Sequence, residues 1–274
     1  SDFILVPHDW SQIFKNQIYT NYLHNLSKIA PLIICNTGDR SPSCKLGNSI
    51  QLRTFLHPGE SLKNKIVIPY PIKPKKPHIR KWKTVPKISF IGFVPKIGIG
   101  TLTSFNSKFI THPLKTSYYL NRKISTFKLS NLQSEFEVLN IVKDSFTLRS
   151  KNPNLVQDIN IFNDSLEKSD YILCPRGAAN TSIRFYETLS AGATPILVET
   201  GTPLPEINYN QFWQKNIVKV GLLANWKSEI SRDWRYLGVS ENYIDRQLEN
   251  SRIFKEELDL EVYLIKLFQN FLKN

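Results

Sequence analysis

The chain has 274 residues, and its 41% of hydrophobic and 12% of aromatic residues exclude a disordered tail and indicate a folded globular protein. Its formal charge of +13 favours anionic partners such as nucleotide diphosphates, anionic glycans or a phospholipid surface, or else reflects a lysine-rich solvated surface. Basic and aromatic residues do not alternate as in nucleic-acid-binding proteins, so we expect no nucleic acid among the partners.

Hydropathy and cysteine usage narrow the class further. No run approaches the ~18–20 apolar residues of a membrane helix, so we expect a cytoplasmic protein whose lysines allow peripheral contact with an anionic membrane. The three cysteines include no C-x-x-C pair, which argues against a disulfide framework or a zinc site. Cys35 and Cys174 end apolar stretches, as small core residues do. The chain lacks methionine and opens on the strand-like DFILV, so we expect its N-terminal domain to be truncated.

Strand patterns alternate with a helical pattern in the first part of the chain. The predicted strands lie at 2–6, 31–36 and 65–70. Apolar residues at i/i+4 spacing predict a helix over 11–29, and all-apolar strands separated by a helix are typical of a parallel sheet covered on both faces. The proline-punctuated, basic segment 71–87 breaks regular structure and is predicted to be an interdomain linker, so a first domain spans 1–84.

The same alternation begins again after the linker. The predicted strands are 87–94, 137–148, 171–174, one that ends at Val198, and 217–220, and the predicted helices are 115–132, 155–168 and one that begins near Asn180. An apolar stripe over 256–274 predicts a long helix that packs back on the body. The chain is therefore predicted to be α/β, with two Rossmann-like domains that face a cleft and a second domain over 85–274.

Residues 169–198 are predicted to form a strand–loop–helix–strand unit whose loop opens onto a helix N-terminus. Free backbone N–H groups and the helix dipole favour an anion such as phosphate there. Arg176 and Arg184 supply fixed positive charge for a diphosphate, and Glu187, one helical turn after Arg184, can accept hydrogen bonds from two ribose hydroxyls. Gly177 lets the backbone approach a phosphate. Alternatively, Arg184 and Glu187 form an ordinary surface ion pair.

This unit resembles the donor-site signature of the exostosin-like glycosyltransferases, in which a C-P-R-G loop precedes R-[FL]-Y-E-[AT]-L-x-A-G-x-x-P-[IV]. The residues in register are Cys174, Pro175, Arg176, Gly177, Arg184, Tyr186, Glu187, Leu189, Ala191, Gly192 and Pro195. Residues 36–71 are similar to the N-terminal half of bacterial-type members. The resemblance covers most of residues 1–200, and it implies a GT-B architecture with the acceptor on the first domain and the donor on the second.

The resemblance implies that Glu187 accepts hydrogen bonds from the ribose hydroxyls of the donor. The predicted donor-binding residues are Gly92, Arg176, Gly177, Ser182, Arg184 and Glu187. Ser182 alternatively caps the helix that follows it. No D-x-D motif follows a predicted strand, so we expect metal-independent catalysis in which arginine and the helix dipole take the place of a cation.

An inverting displacement also needs a general base from the first domain, across the cleft. The loops PHDW at 7–10 and NTGDR at 36–40 follow the first two strands and supply the candidates His8, Asp9 and Asp39. Asp9 alternatively caps the following helix, and Asp39 alternatively stabilises a turn.

Further polar residues are assigned to the cleft. Arg53, His57 and Tyr70 are predicted to line it. Glu199 and Glu206 either meet the donor sugar or lie in a solvated loop.

Together these features predict an inverting, metal-independent hexosyl- or glycuronosyl-transferase. It would move a sugar from a nucleotide-diphosphate donor, with UDP favoured by the resemblance, to a glycan acceptor in polysaccharide or glycoconjugate synthesis. The nucleotide-sugar is then a substrate, and no cofactor is predicted. The alternative is a catalytically inert subunit that binds a sugar nucleotide or a glycan.

Overall fold

Two parallel β-sheets organise the chain, which confirms the predicted α/β class. The computed structural model describes residues 3–38, 44–56, 60–94, 113–143, 154–177, 179–201, 203–209, 211–238 and 240–273. The first sheet contains, side by side and in chain order, β1 (Ile4–Val6), β2 (Leu32–Cys35), β3 (Ser49–Arg53) and β4 (Lys65–Val67). Each of these strands pairs in parallel with the next.

Two short helices, α1 (Trp10–Ile13) and α2 (Gln17–Leu26), stand where one helix over 11–29 is predicted. Asn16 starts α2 as its N-cap, because its side chain accepts a hydrogen bond from the backbone N–H of Tyr19 at 3.1 Å. The prediction also lacks β3. Its sequence SIQLR buries polar as well as apolar side chains, so it does not form the all-apolar run by which the other strands are predicted.

The second sheet contains a crevice at its carboxyl edge. Its strands are β5 (Lys87–Phe93), β6 (Glu137–Lys143), β7 (Tyr171–Cys174), β8 (Thr194–Val198) and β9 (Val218–Val220), in the order β6-β5-β7-β8-β9. β5 pairs with β6 along its whole length but with β7 only at Ile88–Tyr171 and Ser89–Ile172. β5 and β7 therefore separate toward their carboxyl ends, at the point in the sheet where the strand order reverses and where such sheets bind ligands.

Helices cover both faces of the second sheet. They are α3 (Pro113–Ser130), α4 (Leu155–Lys168), α5 (Ile183–Ser190), α6 (Phe212–Lys215), α7 (Trp226–Tyr236) and α8 (Ser240–Ile253), which a π-helical turn (Phe254–Leu258) joins to α9 (Leu260–Lys273). Leu173 of β7 packs in one core cluster with Leu129 of α3, and Ile172 of β7 packs in the other with Leu166 of α4. This alternation accounts for the all-apolar sequence of β7, because both faces of the strand are buried.

The predicted linker, residues 71–87, runs as an extended strap along the second unit, and we call it the strap. Arg80, in the middle of the strap, anchors it to the second unit. The Arg80 side chain is buried, with 6% of the residue exposed. The Arg80 guanidinium donates to the carbonyl oxygens of Leu166 (2.5 Å), Ala191 (3.3 Å) and Gly192 (3.4 Å) and to Oε1 of Gln247 (3.0 Å). Hydrogen bonds of this kind hold the strap against the second sheet and its helices. The domain boundary near residue 84 stays a prediction.

The predicted C-terminal helix is present as α9, and it packs on the first sheet although it follows the second in the chain. The hydroxyl of Tyr263 donates to the carbonyl oxygen of Val67 at 3.2 Å. Phe3 stacks on Phe268 with 6.1 Å between the ring centroids, and Ile33 and Leu52 of the sheet belong to the same core cluster. The chain thus crosses back to the first unit at its end.

Gly192 is required at the turn between α5 and β8. Its φ of +75° lies in the left-handed region, and a Cβ there would stand 2.9 Å from the backbone oxygen of Gln247 in α8. Gly192→Ala combines left-handed strain of about 1–2 kcal/mol with a displacement of α8, so we expect a loss of unfolding free energy of about 2–3 kcal/mol by urea denaturation. Gly201→Ala is the matched control.

Gly201 has nearly the same φ, +74°, but no heavy atom within 4 Å of its added Cβ. We expect this control to show the conformational strain alone, about 1 kcal/mol. Equal losses for the two variants would contradict a tight contact between Gly192 and α8.

Candidate functional site

A cavity of about 660 Å³ lies at the carboxyl ends of β7 and β8, between the two sheets. Thr54, which follows β3, lines it from the first unit, while Asn180 and Glu199 line it from the second. The side-chain nitrogen of Asn180 donates to the carbonyl oxygens of Leu56 and Thr200, both at 3.1 Å, and so ties the two units together at the cavity wall. The volume falls within the range of small-molecule sites, about 300–1,000 Å³.

The N-terminus of α5 borders this cavity, as the strand–loop–helix pattern predicts. Ser182 is the N-cap residue and lines the cavity, but its side chain makes no capping hydrogen bond. The loop before it is closed by a hydrogen bond of 2.6 Å from the backbone N–H of Gly177 to the carbonyl oxygen of Thr181. The Ser182 side chain thus leaves the start of α5 uncapped, and the backbone N–H of Phe185 in the first turn donates to the carbonyl oxygen of Ser182 at 3.1 Å. The positive end of the helix dipole still favours an anion at the cavity.

Arg176 brings positive charge to the cavity wall. It is 4% exposed and lines the cavity directly. Burial lowers the pKa of its guanidinium below the ordinary value, but the group stays charged at neutral pH. Lys219 of β9 lines the same cavity. Two cations and the positive end of α5 therefore meet there.

Arg184 extends from α5 into the crevice between β5 and β7. Its Nη2 donates to the carbonyl oxygen of Ile91, beyond the last residue pair that joins the two strands. Its guanidinium carbon lies 4.9 Å from the Phe90 ring centroid and 5.3 Å from that of Phe162. A Cβ on Gly92 would stand 2.9 Å from Nη2, so the absent side chain of Gly92 makes the room that Arg184 occupies.

A second buried arginine, Arg122 of α3, meets Arg184 at the same aromatic ring. Its guanidinium carbon lies 5.7 Å from the Phe90 centroid, and its Nη1 donates to the carbonyl oxygen of Phe93 at 3.1 Å. Burial and then the nearby charge of Arg122 lower the pKa of Arg184 to about 10. Cys174, a cavity-lining residue, interacts electrostatically with both arginines, so the crevice adjoins the cavity.

Arg122 is not among the site residues predicted from the sequence. Its position in α3 carries no signal that separates it from the many other basic residues of this chain. The assignment depends on the packing of α3 against the end of β5, which a single sequence does not show.

The positive charge at the crevice exceeds the negative charge among the described residues. Nε and Nη1 of Arg184 and Nε of Arg122 are buried without a hydrogen-bond partner there. Glu187 is the carboxylate of this group, and its Oε1 lies 3.8 Å from Nζ of Lys75 in the strap. Burial raises the pKa of Glu187, and the charges of Lys75 and Arg184 offset this only in part. Three cations therefore accompany one carboxylate, an arrangement that favours an added anion.

Two of the predicted base candidates, His8 and Asp9, are not among the residues that line the cavity. Asp9 accepts hydrogen bonds from the backbone N–H of Ser11 (2.8 Å) and from the N–H and hydroxyl of Thr37 (2.9 and 2.7 Å). Burial alone would raise the pKa of Asp9, but these hydrogen bonds outweigh it and leave the pKa below the ordinary value. Asp9 is thus the cap of α1, the alternative that the sequence also offers.

His8 is exposed, with Nδ1 3.0 Å from the hydroxyl of Tyr19. Asp39 lies outside the described residues. The role of general base stays a prediction for each of these three residues.

Of the other residues predicted to line the cleft, some line the cavity and others do not. Glu199 and Glu206 both line the cavity. Arg53 is fully buried, 3.5 Å from Glu60, and Tyr70 packs against the core on one face of the second sheet. His57 lies outside the described residues.

Two further features, a metal-binding cluster and a membrane-spanning helix, are absent from the described ranges. In those ranges no three or more His, Cys, Asp or Glu side chains are grouped so that they could hold a metal ion. Within the same ranges, no helix combines the length and hydropathy that crossing a bilayer requires.

Comparison with known proteins adds little to this geometry. No protein family model matches the chain, and no curated protein matches it. Among solved structures, the chain is similar to the crystal structure of TarM, with 9% sequence identity and a TM-score of 0.39. The similarity covers 91% of this chain and 57% of that chain, so the chain spans little more than half of that structure. A TM-score this low supports neither a family nor an activity.

Proposed function

We propose that the chain is an exostosin-like glycosyltransferase of the GT-B type, which binds a nucleotide-diphosphate sugar between its two sheets and transfers the sugar to a glycan. The observation that carries the proposal is the pair Arg122 and Arg184, whose charge Glu187 offsets only in part. The pair lies in a crevice that adjoins a cavity at the carboxyl ends of β7 and β8. A nucleoside diphosphate supplies the negative charge that this arrangement favours.

The arginines would act on the leaving group. As the glycosidic bond breaks, negative charge develops on the diphosphate, and fixed donors beside it lower the barrier. Arg176 on the cavity wall and the N-terminus of α5 would supply such donors, and the pair at the crevice would add positive charge beside them. We therefore propose that catalysis is metal-independent.

Carboxylates would recognise the ribose and the transferred sugar of the donor. We propose that Glu187, next to the crevice, accepts hydrogen bonds from the ribose hydroxyls, with UDP as the favoured nucleotide. Glu199 and Glu206 line the cavity, where they could accept hydrogen bonds from hydroxyls of the transferred sugar.

Inversion at the sugar carbon needs a base that takes the proton of the acceptor hydroxyl. His8, Asp9 and Asp39 of the first unit remain the proposed candidates. Both oxygens of Asp9 are already engaged by Ser11 and Thr37, so Asp9 would need to exchange one of these hydrogen bonds for the acceptor.

Turnover tests this function. Incubation in EDTA with UDP-linked hexose, uronic acid and N-acetylhexosamine, each with candidate glycan acceptors, should release UDP from one donor. Removal of a charge-stabilising donor costs about 10²–10³ in rate, so Arg176→Ala should reduce the release by at least about a hundredfold. Lys215→Ala, an exposed cation on α6 outside the cavity wall, is the control and should leave the rate unchanged.

The outcomes separate the alternatives. Nucleotide binding without UDP release from any donor would identify the inert binding subunit. Release that depends on added metal would overturn the metal-independent mechanism, and the absence of both binding and release would overturn the proposed function.

A further inference from the structure

The strap is the most basic segment of the molecule. Residues 71–87 contain six lysines and one arginine and no aspartate or glutamate. Two acidic groups lie close to its lysines: Glu137 pairs with Lys87, and Glu187 lies 3.8 Å from Lys75. Asp170 and Glu167 interact electrostatically with Arg80. Seven cations against these four carboxylates leave the strap a positive excess where it lies on the protein.

The cations of the strap divide into two sets. One set holds the strap against the protein. Nζ of Lys75 donates a hydrogen bond to Asn163 at 3.1 Å, and Arg80 donates to backbone carbonyl oxygens. Nζ of Lys87 forms an ion pair with Glu137 at 2.6 Å. The other set is exposed and makes no hydrogen bond or ion pair with any described residue. Its members are Lys73, Lys76, Lys81 and Lys83. The fastened cations thus hold the backbone in place while the others project into solvent.

Apolar side chains are exposed between these lysines. Ile79 is 43%, Trp82 36% and Val85 46% exposed. Trp82 has a fixed orientation, because its ring stacks on Trp234 of α7 with 5.9 Å between centroids and 7° between planes. Lysines flank the tryptophan on both sides in the sequence KWK. Exposed apolar residues among these exposed lysines form a surface with two complementary attractions, one electrostatic and one hydrophobic.

We propose that the strap binds the surface of an anionic phospholipid bilayer. Lysines near an anionic membrane surface are attracted to its headgroups, and tryptophan favours the boundary between headgroups and acyl chains. The strap contacts Gly192 before β8 and leads into the start of β5, so it lies at the amino edge of the second sheet. The cavity lies at the opposite, carboxyl edge and stays open to its ligands. The proposal does not depend on the proposed function.

Flotation with vesicles tests the proposal. Wild-type protein should bind vesicles of phosphatidylcholine with 30% phosphatidylglycerol, and it should not bind vesicles of phosphatidylcholine alone. Each lysine near the surface contributes about fivefold in affinity, so Lys81→Gln with Lys83→Gln should weaken binding by about twenty-five-fold. As a separate variant, Ile79→Gln should also weaken vesicle binding. It should leave the salt dependence of binding unchanged, because it removes an apolar contact and no charge.

The matched control is Lys15→Gln with Lys28→Gln. These lysines are exposed on the first unit, near α2, where the apolar residues Ile18 and Ile29 are also exposed. The control should bind like the wild type. Circular dichroism and thermal unfolding verify that every variant is folded.

Three results would overturn the proposal. They are equal binding to neutral vesicles, equal loss in the control and the strap variants, and strap-dependent binding of a single-stranded oligonucleotide without binding of the anionic vesicles. The last result would assign the strap to nucleic acid instead.

Discussion

Arg184→Met is expected to weaken UDP binding by at least about a hundredfold and, at the same time, to leave the free protein as stable as the wild type or more so. Burial and the neighbouring Arg122 lower the pKa of Arg184 from 12.5 to about 10. At about 1.36 kcal/mol for each pKa unit, the charged guanidinium costs the folded state on the order of 3 kcal/mol. Because the folded-state pKa is the lower one, this penalty is present at every pH below about 10 and is relieved above it. Methionine removes the penalty and also the charge that a diphosphate needs.

Arg246→Met is the contrasting control. Nη1 of Arg246 donates to both carboxylate oxygens of Asp233, at 2.9 and 2.7 Å, so its buried charge is compensated. Loss of the Arg246 guanidinium removes this partner from the Asp233 carboxylate, and the variant should lose about 3–5 kcal/mol of unfolding free energy. Thermal unfolding with and without UDP measures both variants.

Arg184→Met should lose the ligand-induced rise in melting temperature, while Arg246→Met should melt lower and keep the rise at temperatures where it is folded. If Arg184→Met instead destabilised the free protein as much as Arg246→Met does, Arg184 would be a structural residue and the account of the crevice would be wrong.

Glu187→Gln is expected to separate recognition of the ribose from recognition of the diphosphate. Hydrogen bonds to a charged group contribute about 1.5–3 kcal/mol, so UDP affinity should fall by about 10–100-fold. Pyrophosphate has no ribose, and its affinity should stay the same or rise, because a negative charge leaves the site. Arg184→Met, in contrast, should weaken both ligands. Calorimetric titration of UDP and of pyrophosphate measures the two affinities.

The stability of the Glu187 variant has a defined pH dependence. Burial raises the pKa of Glu187 in the folded state, so the wild type loses stability as pH rises through that pKa, and glutamine does not. The advantage of Glu187→Gln should therefore grow from pH 4 to pH 7. Glu256→Gln, at an exposed carboxylate paired with Arg252, should leave the UDP affinity unchanged. A parallel loss of UDP and pyrophosphate affinity in Glu187→Gln would contradict the ribose role.

Local sequence patterns predict much of the fold. The bounds of α4 and β7 coincide with the prediction, because their apolar residues recur with clear helical and strand patterns. α7 and α8 are absent from the prediction, since charged and polar residues separate their few buried side chains. The packing of α9 on the first sheet is a long-range contact that no local pattern contains.

The candidate site likewise has a part that the sequence predicts and a part that it does not. Arg176 and Ser182 lie beside the helix N-terminus, as a strand–loop–helix motif requires, because the motif itself sets their relation to the backbone. The partnership of Arg184 with Arg122 and the hydrogen bonds between Asp9 and Thr37 join segments far apart in the chain. A single sequence gives no measure of such distances.

Calorimetric titration of the wild-type chain with UDP and with GDP in EDTA decides whether the arginine pair belongs to a nucleotide site. We predict micromolar binding of one nucleotide without metal, and the loss of this binding in Arg184→Met. Binding of neither nucleotide, with no binding of pyrophosphate either, would show that the arginine pair does not form an anion site, and the proposed function would then be wrong.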